Sequence, residues 1–183
     1  LASLDDRSGR GPSRGSGKST LAAQLACTLS LPTIELDALY WMPDWQPALP
    51  ELFRHRVDVA TTADAWIITG NYSQVRDLVW GRADTLIWLD FPLPLILWRL
   101  LCRTVWRITR QEDLWNTGNR ESLRMAFFSR DSILLWALKT NRRNRERFAA
   151  DITDSRFGAL DVQVFRSPGK LRRWLRDLAV ADA

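Results

Sequence analysis

Ser13-Arg14-Gly15-Ser16-Gly17-Lys18-Ser19-Thr20 is the stretch on which the fold turns, because it runs straight into Leu21, Ala22, Leu25, Ala26 and Leu29 at helical spacing. Gly15 and Gly17 let the backbone curl so that successive N–H groups point inward, the geometry that cradles phosphate oxygens. The helix expected from Ser19 to Ser30 opens at the same place and turns its positive end toward the same anion. Lys18 reaches the β- and γ-phosphates as a point charge, and the Ser19 hydroxyl is suited to Mg²⁺. Residues Ser13 to Thr20 thus call for ATP and Mg²⁺, with Ser19 on the metal.

Gly17-Lys18-Ser19 closes the P-loop pattern Gly-x4-Gly-Lys-[Ser/Thr]. The first glycine of that pattern falls on residue 12, which is proline here, with Gly11 before it. A Gly/Ser linker that happens to hold a lysine is the competing reading, and the amphipathic helix directly behind it argues against that.

Upstream, Leu1 to Arg10 is polar and holds no β-branched apolar run. Residues 1–10 are therefore expected to be irregular, and the first strand of any sheet poorly formed or missing. Downstream, Pro32 ends the first helix, and Thr33-Ile34-Glu35-Leu36 reads as a short strand ending in Asp37. Tyr40 to Pro50, with three prolines and two tryptophans, reads as a loop, and Glu51 to Thr62 as a helix. Trp66-Ile67-Ile68-Thr69, closed by Gly70-Asn71, and Thr85-Leu86-Ile87-Trp88-Leu89, closed by Asp90, are continuous apolar runs. Such runs between helical stretches indicate a parallel sheet covered on both faces. A helix is expected from Pro92 to about Arg110, a polar break over Gln111 to Asn119, and mostly helix over Arg120 to Asp151. Val162 to Phe165 is the last strand and Pro168 to Leu178 the last helix. The alternation predicts a three-layer α/β/α domain.

With 183 residues the chain suits one domain with a full core, so residues 11–183 are read as a single unit. Hydrophobic residues at 46% and charged residues at 26% exclude disorder as the default state. No apolar run reaches the roughly 18 residues that span a bilayer, so no membrane partner is expected. Cys27 and Cys102 lie far apart with no Cys/His cluster, and read as reduced, buried thiols in a cytoplasmic protein. The formal net charge of +5, carried by arginine, points to an anionic partner.

Leu36-Asp37-Ala38-Leu39-Tyr40-Trp41, Trp66 to Ser73, and Leu86-Ile87-Trp88-Leu89-Asp90-Phe91-Pro92 occur here in order after the phosphate loop. Together these phrases resemble the bacterial adenylate-kinase-like P-loop proteins often labelled DNA topology modulation proteins, over roughly residues 11 to 176. The resemblance implies the nucleoside-monophosphate/shikimate kinase fold, ATP binding and phosphoryl transfer, and leaves the acceptor open. Two features depart from it: the absent hydrophobic strand before the loop, and Thr69, where relatives commonly carry an acidic residue.

In a kinase of this type Asp37, at a strand end on the ligand side of an open sheet, accepts a proton from an acceptor hydroxyl or binds Mg²⁺ through water. Capping of the turn that follows is an equal alternative. Asp90, two residues before Pro92, reads as an N-cap. Gly70, Asn71 and Tyr72 form either a simple turn or an acceptor contact in which glycine permits close approach. Tyr40 and Trp41 begin an aromatic loop that walls the acceptor pocket or packs on the core. Arg99, Arg103, Arg107 and Arg110 share one helix face, and Arg103, Arg107 and Arg110 are the expected catalytic arginines of a lid over about 103–124. The leading expectation is transfer of the ATP γ-phosphate to a nucleotide or small hydroxyl-bearing acceptor. The alternatives are an ATP-binding, nucleic-acid-associated regulator and a non-catalytic kinase relative.

Overall fold

Alternation within the apolar runs decides which side chains meet. In the computed structural model, which describes residues 2–6, 17–110 and 145–181, Ile67 and Ile68 point to opposite faces of one sheet, as do Leu86 and Ile87. The strands are β1 (Ala2–Asp6), β2 (Thr33–Glu35), β3 (Ile67–Asn71), β4 (Thr85–Leu89) and β5 (Asp161–Phe165). The helices are α1 (Lys18–Leu29), α2 (Leu36–Tyr40), α3 (Pro50–Ala60), α4 (Arg76–Arg82), α5 (Leu93–Arg110), a helical stretch over 145–151 (α6), and α7 (Pro168–Ala181). The five strands are parallel, in the order β2-β3-β1-β4-β5, and the sheet stays open.

Two cores cover the two faces. Ile68 and Leu86 pack with Phe53 and Val57 of α3, Val79 and Trp80 of α4, and Phe148 of α6. Ile67, Ile87, Leu89 and Phe165 pack with Leu21, Ala22 and Leu25 of α1, against Leu95 and Ile96 of α5 and Leu171 and Trp174 of α7. The connection from β1 outward to β2 uses α1 on the second face. The returns from β2 to β3 and from β3 to β4 use α3 and α4 on the first. That division gives these three crossovers the same hand, the right-handed one expected of parallel connections.

One sequence expectation is corrected here. The first strand is present, and it is the central one: Ala2 and Ser3 pair with Ile68 and Thr69 on one side and with Leu86 and Ile87 on the other. Ladder bonds are made by backbone N–H and C=O groups, which aspartate and serine supply as well as valine does. The register of β1 against β3 shifts between Ser3 and Asp6. Residues 7–10 of the segment expected to be irregular lie outside the described residues. The thiols differ as well: Cys27 and Cys102 are both exposed, because each falls on the outer face of its helix. Tyr40 to Pro50 is more ordered than a plain loop, with a 3-10 turn at Pro43–Trp45 and a bridge between Trp41 and Pro47.

Gly70 explains how α2 reaches the sheet. Its φ is +115°, and a β-carbon there would lie 2.8 Å from Leu36 Cβ. The glycine makes room for α2, whose Leu36 is buried. Gly70→Ala combines left-handed strain with that clash and should cost about 1–3 kcal/mol, read as a lower denaturant midpoint. An unchanged midpoint would contradict the close approach.

Helices α3 and α4 are tied by reciprocal pairs, Arg54 with Asp77 through two bonds of 2.9 and 2.6 Å, and Arg82 with Asp58 at 2.7 Å. The Arg54 hydrogen bond holds the Asp77 carboxyl below its ordinary value. A depressed carboxyl stabilises the fold above the usual carboxylate range and loses that effect as pH falls through it. Both side chains are about half exposed, at 47% and 56%, so the effect is small. Asp77→Asn should thus be slightly less stable than the parent at neutral pH, with the gap in denaturant midpoint closing below the carboxylate range.

Candidate functional site

The chain order places a crevice at the centre of the sheet. The chain leaves β1 toward β2 on one side, and leaves β4 toward β5 on the other. Loops diverging from adjacent strand ends open a crevice at their carboxyl ends, where ligands of open α/β sheets bind. The sequence-read loop follows β1, and Asp90 follows β4.

At the loop's end Gly17 has φ 91° and ψ 15°, a left-handed geometry that suits glycine. α1 begins at the next residue, and no side chain caps it. The N–H groups that open a helix, together with its positive end, suit an anion. Lys18 is buried at 3% exposure, Ser19 is half-buried and Thr20 exposed. Ser13, Arg14, Gly15 and Ser16 lie outside the described residues. A β-carbon on Gly17 would stand 3.2 Å from Arg99 NH1, so the α5 guanidinium packs against the loop. Arg99 also lies over the Phe91 ring, 5.2 Å from its centroid. Sequence reasoning counted Arg99 in its arginine row and chose the later members. The signal available was position: Arg99 is the member nearest the start of α5. Arg103, Arg107 and Arg110 belong to α5, but their side chains, and the lid expected over 111–124, lie outside the described residues.

Asp37 sits in the first turn of α2, whose N-cap is Glu35, so it does not cap that helix. Its carboxylate accepts a 2.6 Å hydrogen bond from the Tyr72 hydroxyl. Tyr72 continues into an aromatic cluster: Tyr40 is 4.6 Å and Phe53 5.1 Å from it between ring centroids. Trp41, 5.0 Å from Tyr40, is buried and packs on Trp45. The aromatic loop is therefore a core-packed wall. The proposed acceptor contact of Gly70 is accounted for by Leu36 instead.

The N-cap reading of Asp90 is also corrected. α5 starts at Leu93, too far on for Asp90 to cap it. The carboxylate is 2% exposed and bound by Arg145 through bonds of 2.7 and 2.8 Å, with Arg166 at 3.5 Å. Burial of a carboxylate demands such partners, and they come from α6 and from the turn after β5, remote in sequence.

Asn71, the last residue of β3, is buried and stands opposite Asp6 of β1 in register. Its Oδ1 accepts from Arg76 Nε at 3.3 Å. Arg76 also pairs with Asp151 of α6. Sequence reasoning missed Arg76, whose partner is 75 residues away. The crevice thus gathers Lys18, Asp37, Asn71, Tyr72, Asp90 and Arg99 on the loops and helix starts at the strand ends. Among the described residues no group of three or more His, Cys, Asp or Glu side chains is arranged to hold a metal by itself. None of the described helices is long and apolar enough to cross a membrane.

Comparison with protein-family models and with curated proteins found no match for the chain.

Tyr72→Phe removes the donor to Asp37 while keeping the ring in its cluster. It should cost about 1–3 kcal/mol, measured by chemical denaturation. A neutral result would mean that Asp37 finds an equivalent partner in water.

Proposed function

We propose that the chain is an ATP-dependent phosphotransferase with a P-loop kinase-type α/β/α fold, moving the γ-phosphoryl group of ATP to a nucleotide or small hydroxyl-bearing acceptor. The observation that carries the reading is the start of α1: left-handed Gly17, a buried lysine directly after it, and a helix N-terminus with no side-chain cap. The strand order supports it by putting this helix start at the end of the central strand.

The residues present fit MgATP, since left-handed Gly17 is followed directly by buried Lys18 and has the Arg99 guanidinium packed against it. Lys18 would hold phosphate oxygens, the Ser19 hydroxyl would ligate Mg²⁺, and the backbone N–H groups of the α1 start would complete the cradle. Bound MgATP supplies the transferable phosphoryl group. Asp37 is set to accept the proton of the attacking hydroxyl, with the Tyr72 O–H fixing its orientation. The guanidinium of Arg99, against Gly17, offsets charge that develops during transfer.

A second reading, an ATP-binding regulator that associates with nucleic acid, is favoured by one surface. Lys170, Arg172, Arg173 and Arg176 of α7 line a groove of about 870 Å³ against Gln24 and Thr28 of α1. Release of ADP that depends on an added acceptor separates the two readings.

Lys18→Ala should weaken MgATP binding by roughly 2–5 kcal/mol, because a phosphate partner is lost from a desolvated site. Calorimetry with the full chain measures it. Unchanged affinity would remove the loop from the nucleotide site and the phosphotransfer reading with it.

A further inference from the structure

Among the described residues three buried side-chain donors have no acceptor: Trp41 Nε1 by itself, and Asn71 Nδ2 and Arg76 NH2 together at the end of β3. The two side chains belong to one cluster, joined by the Arg76 Nε–Asn71 Oδ1 hydrogen bond of 3.3 Å. An orphan buried N–H has lost its water without a replacement, and here two such groups belong to one hydrogen-bonded pair of side chains. Asn71 is 3% exposed, and the Arg76 side chain is 10% exposed. The Trp80 ring covers one face of the guanidinium at 5.0 Å, so a partner must approach in the guanidinium plane.

Charge bookkeeping selects the partner. Arg76 already forms an ion pair with Asp151 through NH1, and Asn71 is neutral. The donor pair therefore carries no surplus positive charge. An anionic group bound there would leave a net negative charge in a desolvated cluster, which is costly. A hydroxyl brings a proton that itself needs an acceptor, whereas the two open groups here are both donors. A carbonyl oxygen brings two lone pairs and no proton.

We propose that Asn71 and Arg76 form a recognition site for the carbonyl oxygen of an uncharged acceptor, as borne by a lactam, an amide or a ketone. Asn71 ends the strand beside β1, opposite the residue where β1 hands over to the phosphate loop. A molecule held there by its carbonyl lies within the same strand-end crevice as Asp37 and Lys18. Naming it the phosphoryl acceptor rests on the phosphotransfer reading; the site itself does not. Arg76 acts here as a binding residue, and Asp151 as the group that positions and neutralises it.

The test follows the side-chain N–H resonances of Asn71 and Arg76 in the full chain without ATP. The neutral carbonyl probes are uridine, nicotinamide and pyrrolidinone; the anionic probes are acetate and inorganic phosphate. A neutral probe should shift both side chains, and its affinity should fall about tenfold in Asn71→Asp and in Arg76→Lys. Both variants keep a cation for Asp151; denaturant unfolding without probe checks that each is folded, and Arg76→Lys, which adds no charge, carries the test should Asn71→Asp fail to fold. Shifts produced at these side chains by acetate or phosphate, or by none of the neutral probes, would overturn the proposal. Equal affinity in Asn71→Asp would do the same. Calorimetry with MgATP is run in parallel. Probe binding without MgATP binding sinks phosphotransfer and leaves the carbonyl site standing, whereas MgATP binding without probe binding sinks the carbonyl site alone.

Discussion

The two halves of the sheet meet only through β1. β2 and β3 lie on one side of it and β4 and β5 on the other, so the backbone ladders of Ala2 to Asp6 hold the molecule's centre. A parallel strand in that position must be paired on both edges, because no water reaches its N–H and C=O groups between the two cores. Everything at the crevice inherits this arrangement. The chain leaves the central strand, α1 takes it to the far edge, and the returning chain has to cross to the opposite face. The crevice between the ends of β1 and β4 is a consequence of that route.

Around the crevice the charged groups are answered by partners from distant parts of the chain. Asp37 has Tyr72, Asp90 has Arg145 and Arg166, and Asp151 has Arg76. Each buried or half-buried carboxylate needs its donor, since desolvation without one would cost more than these contacts return. α6 supplies one end of two of these pairs, so the segment leading back to β5 is coupled electrostatically to the ends of both β3 and β4. Against that background the unanswered N–H groups of Asn71 and Arg76 stand out. Among the described residues they are the two open donors that share one hydrogen-bonded cluster.

Periodicity and local chemistry were legible before any coordinates. The apolar runs at Trp66–Thr69 and Thr85–Leu89 became the buried strands β3 and β4 to within a residue or two. The expected helix after Lys18 is α1, stopped by left-handed Ser30 ahead of Pro32. These features are local: a continuous apolar run or a four-residue spacing is written in neighbouring residues. The glycine turn into α1 was readable for the same reason, because Gly17, Lys18 and Ser19 are consecutive.

β1 was not legible, because pairing draws on backbone groups that sequence pattern does not reveal, and its polar residues argued against a buried strand. The reason for Gly70 was equally hidden: the glycine serves Leu36, and only packing brings α2 to within van der Waals range of it. The roles of Arg76, Arg99 and Arg145 follow the same rule. An arginine's charge is visible in the chain, but its partner is chosen by which strand ends lie side by side. Sequence by itself therefore determined the alternation of strands and helices and the place where α1 begins. Tertiary structure alone decided which strand is central, which arginine meets the loop and which donors remain open, since each depends on contacts between residues far apart along the chain.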